Sequence, residues 1–145
     1  MVNDLVTAIS LALSEEFGDD TIVYAEAVEQ GLQTPCFFIS SLEVTSRLYM
    51  GLRYFCENPF CIQYIPDESL NAKAACNDVA EQLFSCLELI TDTEGDLVRG
   101  TDMHYEIVDG VLNFFVNYDL FVYKTDEDDD TEVMEVLDQT SEVNE

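Results

Sequence analysis

The chain has 145 residues, of which 48% are apolar and 11% aromatic, so it is long and apolar enough to bury a core of its own. Five Lys and Arg residues against 31 Asp and Glu residues give a formal net charge of −26. This charge argues against sequence-independent binding of nucleic acid, which needs basic side chains, and against binding to an anionic membrane surface. Solubility is the simplest role for so many acids.

The acids are concentrated at the C-terminal end. After Lys124 the chain carries ten acids and no base, which leaves 21 acids and five bases, a net charge of −16, in residues 1–124. We therefore expect one globular domain over residues 1–124 and an acidic, disordered tail over residues 125–145. Four apolar residues of this tail could form one or two marginal helical turns: Val133, Met134, Val136 and Leu137.

The first half of the domain is predicted to be a helix followed by strands. Apolar residues at spacings of three and four, such as Leu5, Ile9 and Leu13, predict an amphipathic helix over residues 3–17, capped by Asn3 and ended at Gly18. Residues 26–35 contain few strand formers and predict irregular backbone. Strands are predicted over residues 21–25, 36–40, 43–49, 53–56 and 60–65. The last two are separated because Pro59 cannot donate a ladder hydrogen bond.

A second helix and a long hairpin are predicted for the rest of the domain. Acids at positions 67 and 68 favour a helix start, and apolar residues at helical spacing continue as far as Ile90. Residues 92–96 predict a turn, and residues 97–99 predict a short extended piece. Asp109 and Gly110 then lie between two runs of β-branched and aromatic residues, which is a strong signal of a tight type I′ hairpin over residues 102–124.

The last strand alternates strictly, because successive side chains of a strand face opposite sides of a sheet. One face is entirely apolar and needs a cover: Leu112, Phe114, Val116, Tyr118, Leu120 and Val122. The other face mixes amides and acids with aromatic residues, which suits contact with another protein: Val111, Asn113, Phe115, Asn117, Asp119, Phe121 and Tyr123. The helices are too few for a βαβ series. The pattern therefore predicts an α+β fold, with an antiparallel or mixed sheet and two helices packed on one face.

No motif in the chain predicts catalysis, a cofactor or a metal site. His104 has Glu106 on the same strand face, but no Ser or Cys is tied to this pair by a motif. The acidic run from Asp126 has Thr131 and Leu137 where a calcium loop needs Gly and Glu. The five cysteines, Cys36, Cys56, Cys61, Cys76 and Cys86, lack zinc spacing. We expect reduced thiols that act as small apolar core residues, in a cytoplasmic setting without a secretory signal or a membrane span.

Basic side chains are scarce, so each is a candidate for pairing with an acid on another molecule. Arg99 is the most suggestive of the five as a contact between copies of the chain, and an ordinary ion pair within the chain is the alternative.

Four segments together resemble the tail terminator proteins of long-tailed phages and prophages of Gram-positive bacteria. They are EEFGDDTIVYAEAVEQGLQTPCFF (residues 15–38), LRYFCENPFCIQYIP (residues 52–66), NDVAEQLF (residues 77–84) and GDLVRGTDMHYEIVDGVLNFFVNYDLFVYK (residues 95–124). The resemblance covers most of residues 2–124 and excludes the acidic tail. It lies in whole segments and not in a catalytic motif. The cysteines at positions 56, 61, 76 and 86 are departures that bear on packing.

The resemblance implies a non-enzymatic structural protein of the virion, assembled in the host cytoplasm. Such a protein forms a ring, commonly of six copies, on the end of the tail tube, stops tube growth and offers a surface to the head-side connector. The expected partners are other copies of the chain, the tail tube protein and the connector, while the genome passes through unbound. Candidate interface residues are Arg99, Phe115, Phe121 and Tyr123.

Three alternatives stay open at this point. An acidic protein can imitate DNA and occupy the basic cleft of a DNA-binding protein, and net charge alone supports this reading. A small enzyme is a further alternative. Another component of the head-tail neck, such as a head-closure protein, is a close neighbour of the tail terminator reading.

Overall fold

A computed structural model describes residues 1–25, 31–67, 71–124 and 134–136. Within these residues the chain forms two helices and eight strands. The helices are α1 (Val2–Phe17) and α2 (Ala72–Cys86). The strands are β1 (Val23–Tyr24), β2 (Cys36–Ser41), β3 (Thr45–Met50), β4 (Arg53–Ile65), β5 (Leu89–Thr91), β6 (Leu97–Val108), β7 (Val111–Lys124) and β8 (Met134–Val136).

The strands join into one mixed sheet in the order β1-β2-β4-β7-β6-β5. β1 and β2 are parallel, and the remaining pairs are antiparallel. The long strands β4 and β7 form the centre, in a continuous register from Arg53 opposite Tyr123 to Tyr64 opposite Leu112. β2 and β3 follow one another along the other edge of β4, and β8 pairs with the end of β7. The predicted α+β class is confirmed.

The core lies between the sheet and the two helices, and it uses the apolar face predicted for β7. All six residues of that face are buried, at most 4% exposed, whereas the residues between them are half-buried. Helix α1 contributes Leu5, Ile9 and Leu13 to this core, and α2 contributes Cys76 and Leu83. Both helices therefore cover one face of the sheet, and the face with mixed composition points away from them.

The hairpin between β6 and β7 has the predicted turn. Asp109 and Gly110 have φ angles of 52° and 76°, and Val108 pairs with Val111 directly across the turn. Positive φ at both central residues defines a type I′ turn, which the Asp-Gly dipeptide tolerates best. β6 also contains a bulge between Thr101 and His104, where Asp102 has a φ of 53°.

The prediction that Pro59 separates two strands is wrong, because β4 runs through it without a break. The Pro59 carbonyl oxygen accepts a hydrogen bond from the Leu42 N–H at 2.9 Å, so this oxygen points toward the gap between β2 and β3. The nitrogen of a strand residue points to the same side as its carbonyl oxygen. The missing N–H therefore faces the gap and removes no hydrogen bond from the ladder with β7.

The second helix is shorter than predicted. It ends at Cys86, and Ile90, which was assigned to its apolar face, lies in β5 instead. Ile90 would be buried at the end of a longer helix and is also buried in β5. The spacing of apolar residues therefore does not distinguish a helix from a strand at this position. Two contacts stabilise the observed ending: the Tyr118 hydroxyl donates to the Leu87 carbonyl oxygen at 2.7 Å, and the Gly100 N–H donates to the Glu88 carbonyl oxygen at 2.7 Å.

Smaller corrections concern element ends. Asn3 lies inside α1 rather than at its N-cap, which is Met1, while the predicted end at Gly18 is confirmed. β1 is only two residues long. In the tail, residues 134–136 form a strand and not a helical turn. Residues 26–30, the predicted helix start at 68–70, and positions 125–133 and 137–145 of the predicted disordered tail lie outside the described residues. No helix in the described parts of the chain has the length and apolar content needed to cross a membrane.

The cysteines behave as core residues. Cys36, Cys56, Cys61 and Cys76 are buried, Cys86 is half-buried, and all five are free thiols. Burial raises the pKa of Cys36, Cys61 and Cys76, and it raises the pKa of Cys86 to about 12, with the Glu16 carboxylate adding to the shift. Since thiolates are the reactive form, these thiols are poor nucleophiles.

Alkaline pH is therefore expected to destabilise the fold. The thiols keep their protons in the folded chain while those of the unfolded chain ionise near pH 9, so the stabilisation is complete below that pH and is lost as pH rises through the folded pKa values. The midpoint of urea unfolding should fall between pH 8 and pH 10. A Cys86→Ala variant should show a shallower fall. A midpoint that is constant over this range would contradict the expectation.

Candidate interaction surfaces

The candidate surface on the sheet is the side turned away from the helices, here called the outer face. β4, β6 and β7 form its centre, and the register places their outward side chains in rows. Three of the four predicted interface residues, Phe115, Phe121 and Tyr123, lie on this face of β7. Within the described residues nothing packs over this face as the helices pack over the other.

Aromatic side chains form two groups on the outer face. At one position the His104 ring stacks on Phe115, with ring centroids 4.8 Å apart and planes 18° apart. Nearer the β3–β4 end of the sheet, Phe121 contacts Phe55 at 5.1 Å and Tyr49 at 5.0 Å. Half-buried aromatic side chains are over-represented at protein interfaces because they supply large contact area at little entropic cost. Both groups are therefore suited to a protein partner.

Amides and carboxylates also lie along the outer face, on the turn side of Phe115 at Gln63 and Asn113, and between the two aromatic groups at Asn117 and Asp119. The Gln63 side-chain amide donates to Asn113 at 2.8 Å across β4 and β7, and the Asn117 amide donates to Asp119. Burial raises the pKa of Asp119, the Asn117 hydrogen bond opposes that shift, and the nearby Glu57 carboxylate adds to it. The side-chain amide oxygen Oδ1 of Asn117 is buried without a hydrogen-bond partner in the described residues. The stretch between the two aromatic groups is polar and acidic, and Arg47 lies near enough to act against the upward shift in the pKa of Asp119.

Arg99 also lies on the outer face, on the side of β6 opposite buried Gly100, but among the described residues it is not stacked on an aromatic ring. It lies on β6 beside β5, and its guanidinium forms an ion pair with Glu88 at 3.1 Å. Both side chains are more than half exposed, so the pair contributes little to folding. A single copy of the chain therefore has the ordinary ion pair that was the alternative for Arg99. A contact between copies through Arg99 would also involve Glu88.

His104 is held in a structural arrangement. Its Nδ1 atom lies 3.0 Å from the Asp102 carbonyl oxygen, and its ring is stacked on Phe115. Across the described part of the chain, no group of three or more His, Cys, Asp or Glu residues is placed to hold a metal ion. The geometry gives His104 a packing role at the β6 bulge.

A second surface was missed from the sequence. The turn of the β3–β4 hairpin exposes three consecutive apolar side chains, Leu48, Tyr49 and Met50, each between 55% and 60% exposed. The sequence showed two strands joined near Gly51, but it did not show that these side chains extend beyond the cover of the helices. The sequence did contain one signal of this exposure: apolar residues lie on both faces of the short strand β3, next to the turn at Gly51.

The fold and surfaces define the chain as an α+β protein with aromatic and apolar residues grouped on an open sheet face and a hairpin. Residues 4–130 match the family model described as phage tail terminator protein. The chain belongs to this family, whose members are structural proteins of the phage tail. A comparison with curated proteins found no match.

Proposed function

We propose that this protein assembles as a ring of six copies on the end of the phage tail tube, stops tube growth there and presents a docking surface to the head-side connector. The match to the tail terminator family over residues 4–130 carries the proposal. It agrees with a sheet that has one open face carrying aromatic side chains.

The outer face of the sheet supports the assembly step. A closed ring needs two different patches that meet at each junction, because its contacts run head to tail. Phe115, Phe121 and Tyr123 supply one open patch at half-burial, where a partner can complete their packing. The tail tube protein and the connector would contact the two rims of the ring.

The negative charge has a role in the same assembly. Phage DNA must pass through the ring, and carboxylates that line a channel repel the phosphate backbone instead of binding it. The formal charge of −16 on residues 1–124 of each copy supplies carboxylates for such a lining. Replacing lumen carboxylates by Lys should therefore slow DNA release. An unchanged rate of DNA release in these variants would contradict the proposed role of the negative charge.

The first test is the mass of the full chain in solution, measured by light scattering after size exclusion, alone and mixed with the tail tube protein. We expect six times the single-chain mass, at least in the mixture. The ring fraction should be larger at about 0.15 M salt than at 0.01 M, since the Debye length falls from about 30 Å to about 8 Å and screens the repulsion between copies. A single-chain mass in every mixture, without binding to the tube protein, would contradict the proposal.

A DNA mimic would behave differently in the same experiment. It would remain a monomer or dimer and would compete with DNA for a basic protein. The family match favours the ring, and a competition assay with a basic DNA-binding protein separates the two functions.

A further inference from the structure

The turn of the β3–β4 hairpin combines exposed apolar residues with most of the positive charge of the chain. We call residues 47–53 and Lys124 the hairpin tip. Leu48, Tyr49 and Met50 are consecutive in the sequence, and each side chain is more than half exposed. Single exposed apolar residues are common, but a contiguous group of this kind marks a contact site. Three of the five basic residues also lie here: Arg47, Arg53 and Lys124.

Two of the three basic side chains of the hairpin tip lie over aromatic rings. The Arg47 guanidinium lies 4.9 Å from the centre of the Phe55 ring, and the Lys124 ammonium lies 4.7 Å from the centre of the Tyr54 ring. The Lys124 N–H also donates to the Leu52 carbonyl oxygen at 3.1 Å, which ties β7 to the turn. Among the residues that the structure describes, no carboxylate lies within salt-bridge distance of these three bases.

The opposite end of the sheet has the complementary character. Four exposed acids lie on the turns at that end: Asp19, Asp20, Asp67 and Asp109. Two exposed apolar residues accompany them, Leu32 at 42% and Val108 at 48% exposure. In this group, here called the acidic end, Asp67 follows β4, Asp109 precedes β7, and Asp19 and Asp20 precede β1. β1 runs parallel to β2, whose first residue lies opposite the end of β4.

The two groups are too far apart to neutralise each other within one copy. Eleven residue steps separate Arg53 from Tyr64 along β4, which at about 3.3 Å per residue is roughly 36 Å. That distance is several times the Debye length of about 8 Å at physiological ionic strength. The charges of the hairpin tip can meet those of the acidic end only when a second copy is present.

We propose that the hairpin tip of one copy packs against the acidic end of the next copy, so that Leu48, Tyr49 and Met50 are covered and Arg53 pairs with an acid of the neighbour. The inference rests on the proposed ring and names its junction. Two different patches at opposite ends of a subunit form the head-to-tail contact that a cyclic assembly needs. Net repulsion between copies acts over long distances at low salt, whereas these pairs act at contact, so moderate salt favours the junction.

Charge reversal tests the junction in the full chain at about 0.15 M salt, the moderate condition at which long-range repulsion is screened. Arg53→Glu should weaken self-association at least about tenfold, measured by sedimentation or light scattering, since like charges then meet at the contact. Gln82→Glu combined with Ser85→Glu is the matched control, because it makes the same change of −2 in net charge at two exposed residues of α2, outside both the hairpin tip and the acidic end. Both variants should unfold at the wild-type urea concentration, which shows that the fold is intact.

Charge exchange identifies the partner surface. Arg53→Glu is combined in turn with Asp19→Lys, Asp20→Lys, Asp67→Lys and Asp109→Lys, and at least one combination should restore self-association to within about threefold of wild type, because the reversed pair is again complementary. Wild-type association of Arg53→Glu, or its loss without restoration by any exchange, would overturn the junction. If the wild-type chain itself never associates, alone or with the tube protein, the proposed ring fails instead.

Discussion

Phe114→Ala is expected to lower the free energy of unfolding by about 3–5 kcal/mol, a large share of the 5–15 kcal/mol that stabilises a typical domain. Phe114 is fully buried between the sheet and α2, and its ring contacts Phe84 with centroids 5.0 Å apart. Truncation removes that contact and leaves a cavity that the surrounding strands cannot fill. Urea unfolding followed by far-UV circular dichroism measures the loss directly.

The neighbouring residue provides the control. Phe115 carries the same side chain on the same strand but lies half-buried on the outer face, stacked on His104. Phe115→Ala should cost only about 1 kcal/mol of stability. It should instead weaken assembly if the outer face is part of the ring. Equal destabilisation by the two substitutions would mean that the two faces of β7 are assigned incorrectly.

Gly100→Val is expected to cost at least about 3 kcal/mol, because overpacking against backbone cannot be relieved by a rotamer change. A Cβ atom at Gly100 would lie 2.7 Å from Val116 Cγ2 and 2.8 Å from the Leu87 carbonyl oxygen. That oxygen also accepts the Tyr118 hydroxyl hydrogen bond, so displacing it disturbs the end of α2. The clash lies where β6 passes closest to the chain that connects α2 to β5.

Thermal unfolding measures this effect, with Arg99→Val as the matched control one position away. Arg99 is exposed, and its loss removes only a surface ion pair, worth about 0–1 kcal/mol. Gly100→Ala should lie between the two variants. Wild-type stability of Gly100→Val would show that the approach of β6 to Leu87 is looser than the structure indicates.

Much of the fold was predictable where a local signal and the burial pattern agree. The alternation along β7 identified the buried face, and Asp109-Gly110 identified the hairpin turn, because both features depend on residues adjacent in sequence. The end of α2 was not predictable from spacing. It depends on Gly100 and Tyr118, which reach it from β6 and β7, more than ten residues further along the chain.

The candidate surfaces were predictable only in part. Phe115, Phe121 and Tyr123 could be placed on one face because a strand has a period of two. The continuous strand through Pro59 and the exposure of the hairpin tip could not be predicted. Both depend on where β2 ends and β3 begins along β4, the strand with which both pair. Strand pairing of this kind is a property of the folded sheet and leaves no signal in a single strand.

The pairing of β4 with β7 also determines when this protein can fold. Arg53 and Tyr123 are neighbours in the sheet but lie 70 positions apart in the chain, and the whole central ladder has separations of this order. Contacts between such distant residues form slowly, since a long loop must close before they stabilise anything. The centre of the sheet forms only after β7 has been synthesised. The chain therefore acquires its β3–β4 and β6–β7 surfaces in their final form late and together, and an incomplete chain presents neither.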